Sequence, residues 1–227
     1  MTEGLDLKGV YDVTLARIKE QGGEKARLGM TALMWISYSE RPLQLDELLH
    51  ALAVEIGSTF LDTKRIPSVE ALLSCCLGLV VVDTEGSTVR LIHFTLQEYL
   101  YISDIFSPTH SIMAETCLTY LNFRTIKNIS STLYVLPQST PFLKYCSLYW
   151  GAHARSGATI VVVSLALELF DQIESHISTK LLLVGRISKN SLYNRYMSSS
   201  PISPFEGKSA NCYKKDVGTV GDAESGG

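Results

Sequence analysis

The sequence predicts a mainly α-helical fold carrying one small β-hairpin. Three observations predict it. Apolar residues recur at helical spacing through most of the chain, two short β-branched runs flank a Gly-containing turn at 84–87, and turn residues punctuate the periodic segments. At 227 residues, with 46% hydrophobic and 19% charged, the chain has enough apolar content to build a core over most of its length.

Leu7, Val10, Tyr11, Thr14, Leu15 and Ile18 place a first helix over 5–20, stopped by Gly22 and Gly23. Residues 25–38 form a second helix. It is apolar nearly all round through Leu28, Met30, Leu33, Met34, Trp35 and Ile36, the pattern of a buried helix, and Arg41-Pro42 breaks it. Asp46 opens the next helix with acidic charge where the helix dipole favours it, and Leu45, Leu48, Leu49, Leu52 and Ile56 form its stripe. After a polar loop over 57–66, a further helix starts near Pro67, a residue suited to a first turn. Its stripe is Val69, Leu72, Leu73, Cys76 and Leu77, and Gly78 closes it.

Leu79 to Asp83 reads as a strand, Thr84-Glu85-Gly86-Ser87 as a turn, and Thr88 to Ile92 as the return strand. Val89, Leu91 and His93 then share one face of that strand. Thr95-Leu96-Gln97-Glu98 fits a capping box for the helix that follows, and Phe94 is placed to staple onto Tyr99. His93 is thereby held from both sides at a strand–helix junction. Three more helical patterns follow: near 110–122 (Met113, Cys117, Leu118, Leu121), from Pro141 (Phe142, Tyr145, Cys146, Tyr149), and over 159–184 (Val162, Leu165, Ala166, Leu169, Phe170, Ile173, Ile177). From about Ser198 the composition turns rich in Ser and Gly without periodicity, which predicts disorder.

The helices and the two-stranded wing between 27 and 93 follow the order of a winged helix. The expected organisation is an N-terminal helix over 1–24, a winged-helix domain over 25–105, a helical extension over 106–185 and a disordered or atypical tail over 186–227.

Composition narrows the function. A net charge of −3 gives no general attraction to nucleic acid or anionic membrane. The segment 158–167 is too short to span a bilayer, and no apolar leader opens the chain. The five cysteines, odd in number and without a C-x-x-C, match a reducing compartment, so a cytoplasmic location is expected. His50, His110, His153 and His176 show no metal-ligand spacing, and no nucleophile elbow or phosphate loop occurs, so no catalytic residue, metal or cofactor is expected in this chain. Gly207-Lys208-Ser209 lacks the upstream glycine and strand of a phosphate loop. Trp150 with Tyr145 and Tyr149 reads as a packing stripe, and Cys75-Cys76 as core. DNA binding, frequent among winged helices, would need cations on the helix over 67–77. That segment carries Glu70 and neither Lys nor Arg, with only Lys64 and Arg65 ahead of it and Arg90 on the wing.

The segments WISYSERPLQLDELLHALAVE, LLSCCLGLVVVD, VRLIHFTLQEYL, CLTYLNF and PFLKYCSLYWGAHAR resemble the winged-helix region of fungal NACHT–ankyrin proteins. These belong to the NLR-like signal-transduction (STAND) ATPases, and the region carries the name of the GPI inositol-deacylase winged helix domain. The resemblance covers roughly residues 5–185. It implies a non-enzymatic regulatory module that packs on a P-loop NACHT domain and is followed by ankyrin repeats, neither of which this chain contains. The H-x-T-x-Q-E-Y segment is similar to the family's winged-helix histidine motif, whose histidine approaches the phosphates of bound ADP and helps hold the resting state. The matching position is His93. ADP or ATP is therefore implied for the missing domain, while the residues alone also allow a purely structural His93, a DNA-binding winged helix or a stand-alone interaction adaptor.

Overall fold

The computed structural model describes residues 7–184, apart from Thr84 and Tyr134. The expected tail over 186–227, with Cys212 and Gly207-Lys208-Ser209, lies outside the described residues. The elements run α1 (Leu7–Glu20), α2 (Gly23–Tyr38), β1 (Leu43–Gln44), α3 (Leu45–Ala53), a 3-10 turn (Thr63–Arg65), α4 (Val69–Cys75), β2 (Val80–Asp83), β3 (Thr88–Leu91), α5 (Phe94–Ile102), α6 (Thr109–Leu121), α7 (Arg124–Lys127), α8 (Leu143–Ser156) and α9 (Ile160–Phe170). A further helical stretch covers 177–184. The fold is mainly α with one small antiparallel sheet, as the sequence predicts.

The sheet has three strands in the order β1-β3-β2, not the two of the expected hairpin. Val80 pairs with Leu91 and Val82 with Val89, while Leu43 of the extra strand faces Val89 from the other side. Val89 thus sits in the middle of the sheet and is buried. The residue with positive φ in the hairpin turn is Ser87 (φ 49°) rather than Gly86, and its carbonyl accepts from the Leu45 N–H at 2.8 Å, tying the turn to the start of α3.

Two helix starts differ from expectation. α3 is capped by Gln44 rather than opened by Asp46. Gln44 and Glu47 form a capping box, and the Glu47 carboxylate accepts the Gln44 N–H at 2.9 Å. The same buried carboxylate takes both guanidinium nitrogens of Arg41, at 2.7 and 2.6 Å, so it is paired on every side that leaves water. α4 starts after Pro67. Ser68 is its N-cap and accepts the Ala71 N–H at 3.2 Å, so Pro67 precedes the helix instead of filling its first turn. The exit from α4 turns through Leu77 and Gly78, both at positive φ.

One apolar core runs from Tyr11 to Ile177, so the winged-helix elements and the helices after them share it. Trp35 of α2, 1% exposed, meets Phe142 edge-on at 5.4 Å and Tyr145 of α8 at 6.1 Å. Behind it, α6 packs against α8 and α9. The final expected helix over 159–184 is broken: α9 ends at Phe170, turns occupy 171–175, and His176 caps the stretch that follows.

α2 and α4 approach closely at Gly29. A Cβ there would lie 2.6 Å from the Cys75 carbonyl oxygen, a backbone atom that cannot step aside. Gly29→Ala should therefore lower stability by about 1–3 kcal/mol through overpacking, although alanine is the better helix former by about 1 kcal/mol. A urea midpoint at or above the parent value would contradict this contact.

Candidate functional site

β3 ends at Leu91, and the Ile92 N–H donates to the Leu79 carbonyl at 2.9 Å, which anchors the chain as it leaves the sheet. His93 follows in extended conformation (φ −150°, ψ 147°) and is itself the N-cap of α5. Its Nδ1 accepts the Thr95 N–H at 3.3 Å and lies 2.9 Å from the Thr95 hydroxyl. The expected capping box from Thr95 to Glu98 is not formed, because the helix begins at Phe94 and places Thr95 inside its first turn. An aromatic nitrogen has taken the capping role that sequence patterns assign to Ser, Thr, Asn or Asp.

The expected staple is absent too. Phe94 is 66% exposed and lies against the His93 ring at 4.6 Å instead of covering Tyr99. Tyr99 packs on Tyr11 of α1 at 5.5 Å, and its hydroxyl donates to Asp12. His93 is held on both sides and stands exposed. Among the described residues its Nε2 makes no hydrogen bond. The Thr95 hydroxyl also meets the Tyr11 hydroxyl at 2.8 Å, joining α1 to the junction. Between α1 and α5 runs a groove of about 270 Å³, lined by Leu7, Tyr11, Thr95, Glu98 and Ile102 among others. Ile92 and Phe94 are exposed at this end of α5, Ile102 at its far end, and Leu7 on α1.

The other histidines are structural. His153 is fully buried, its Nε2 2.9 Å from the Tyr145 hydroxyl and its Nδ1 3.0 Å from Nδ1 of His110. The Tyr145 hydroxyl in turn accepts the Glu40 N–H at 3.1 Å, so this chain links the end of α2 to α8 and α6. His176 is buried, and His50 reaches the Tyr120 hydroxyl at 3.2 Å. Sequence spacing hides the His110–His153 pair, since its partners lie 43 residues apart. Tyr145 and Tyr149 pack with tilted rings at 5.0 Å and Trp150 packs on Phe170, a packing stripe as expected. Cys75 and Cys76 are buried, and burial pushes the Cys76 thiol up to about 12. Among the described residues no cluster of His, Cys, Asp and Glu could hold a metal ion. No helix among them is long and apolar enough to cross a membrane.

Residues 16–112 match the family described as GPI inositol-deacylase, winged helix domain. This part of the chain is a winged-helix domain. The match begins within α1 and ends just inside α6, so it takes in the capping His93 and its Thr95 partner but not α8 or α9. Among curated proteins, the chain is similar to the azaphilone pigments biosynthesis cluster protein L of Monascus ruber, 28% identical over 168 residues, covering 65% of this chain and 34% of that protein. The chain thus spans about a third of the length of the curated relative it matches. No solved structure matches it.

Burial, and next to it the neighbouring His110, push His153 down to about 4; burial also lowers His50 and His176. All three rings are kept neutral in the fold but gain protons near pH 6.5 when unfolded. Stability is therefore full above about pH 6.5 and falls as the pH drops toward 4, with His153 contributing on the order of 3 kcal/mol at most. Chemical denaturation between pH 7.5 and 4.5 should show a falling midpoint. A flat profile would mean that His153 is not buried as a neutral ring.

Proposed function

We propose that this chain is a non-catalytic regulatory and structural winged-helix module that packs on a NACHT-type nucleotide-binding domain and helps hold its ADP state. The observation that carries the reading is His93: an exposed imidazole, held by α5, whose Nε2 has no partner among the described residues. A phosphate oxygen of ADP is an acceptor of the right kind for it. The exposed apolar side chains beside it, Ile92 and Phe94, suit the packing of a second domain around that contact.

The match to a winged-helix family supports a regulatory or structural module in general. The greater length of the relative accords with such a module being one part of a larger protein. The outer side of α9 exposes Ile160, Val163, Leu167 and Phe170, which suits a further helical layer after the extension, as ankyrin repeats would provide. Nucleic acid is left out on charge: α4 exposes Glu70, Ala71 and Ser74, and the nearby Arg65 is paired with Glu55 at 2.5 Å. Cytoplasmic location accords with four free, buried cysteines among the described residues.

His93→Asn separates the two roles of the ring. Asparagine keeps an N-cap acceptor and loses the outward N–H. In a protein carrying both this module and its nucleotide domain, the variant should fold and release ADP about 10–100-fold faster, the effect of losing one hydrogen bond to a charged group. Unchanged release would overturn the phosphate contact.

A further inference from the structure

A backbone N–H can only donate. Since the Thr95 N–H points at Nδ1 of His93, that nitrogen is the acceptor, and the neutral ring carries its proton on Nε2. The Thr95 hydroxyl, 2.9 Å from the same Nδ1, must then be a donor as well. Its oxygen is left to accept from the Tyr11 hydroxyl at 2.8 Å. One backbone group thus fixes the direction of every hydrogen bond in the row from Tyr11 through Thr95 to His93.

The molecule contains a second copy of this arrangement, in which the outcome is visible. His176 stands two residues before Ser178 at the start of the helical stretch over 177–184. Its Nδ1 accepts the Ser178 N–H at 3.2 Å and lies 2.7 Å from the Ser178 hydroxyl. Its Nε2 lies 3.1 Å from the Leu121 carbonyl, which can only accept. His176 therefore holds its proton on Nε2. A histidine two residues ahead of Ser or Thr, used as an N-cap, fixes the same tautomer at both places. At His176 the donor is used inside the fold; at His93 it faces outward.

We propose that Thr95 and Tyr11 are positioning residues that lock His93 as an Nε2–H donor, so that α1 holds the recognition state of α5. The opposite tautomer would turn a lone pair toward an incoming oxygen and repel it. Tyr11 is suited to this control. It is 7% exposed, belongs to a different helix, and touches Thr95 and Tyr99 rather than His93. Displacement of α1 would remove the hydroxyl that keeps the Thr95 oxygen occupied and free Thr95 to reverse. The meaning of this lock for ADP rests on the function proposed above; the tautomer itself does not.

The test is nitrogen-15 NMR of the imidazole rings in the full 227-residue chain at a pH where the rings are neutral. His176 serves as the internal standard. The expected result is a proton on Nε2 of both His93 and His176. In Tyr11→Phe the His93 ring nitrogens should shift while those of His176 stay fixed. A proton on Nδ1 of His93, or His93 resonances unmoved in a folded Tyr11→Phe chain, would overturn the proposal. Thr95→Val keeps the capping N–H and removes the hydroxyl, and gives a second route to the same answer if Tyr11→Phe does not fold. Because no nucleotide is present, failure here is distinct from unchanged ADP release in His93→Asn, which would overturn the phosphate reading and leave the lock intact.

Discussion

The packing of Trp35 against α8 is the contact on which the rest of the structure depends. Trp35 lies on the helix that the winged-helix elements surround, yet its ring neighbours Phe142, Tyr145 and His153 come from beyond the winged-helix match. A fully buried aromatic of this size contributes several kcal/mol, as much as half the net stability of an ordinary domain. The polar row beside it has the same reach. Glu40, Tyr145, His153 and His110 connect the end of α2 to α8 and α6, and both ring nitrogens of the buried His153 have a partner in that row. Buried polar groups of this kind are costly when half satisfied and specific when complete. The junction therefore fixes how the extension sits on the winged helix.

Much of the fold was legible because the core is periodic. The stripes of α2, α3 and α6 repeat over several turns, and the β-branched run from Val80 to Val82 has one reading. The misses have two physical causes: a partner distant in sequence, or two local caps competing for one helix start. β1 is two residues long, too short for an alternation to show, and exists because Val89 offers a free edge. Gln44 and Glu47 obey the same cap spacing as Thr95 and Glu98, and only the first pair forms a box. At the second site His93 stands one residue before the helix and accepts the Thr95 N–H, which starts the helix two residues earlier than a Thr95 cap would. Ile173 and Ile177 continue the apolar spacing of α9, but the chain turns after Phe170 and His176 caps a new helical stretch. In the candidate site the position of His93 was legible, and its exposure was not. Phe94 turns out to solvent beside it, and Tyr11 of α1, 84 residues from Thr95 in sequence, packs on Tyr99 in its place.

The two histidine caps show how one local motif yields two roles. In both, a backbone N–H and a hydroxyl two residues on hold Nδ1 as acceptor, and the cost of ordering the ring is met by the cap itself. What differs is the group opposite Nε2. At His176 the Leu121 carbonyl ends α6 and takes the proton's hydrogen bond, so the ring pins the helical stretch over 177–184 to the core. At His93 the fold supplies no such carbonyl among the described residues. A donor that is already ordered and already in one tautomer loses little entropy when it meets an oxygen, which is the condition for a contact that switches on a small displacement. The described element that grips this row is α1. Its Tyr11 holds the far end of the hydrogen-bonded row, and its Asp12 holds Tyr99 one turn further along α5. Two grips on adjacent turns move α5 and the His93 ring together with α1, or release both.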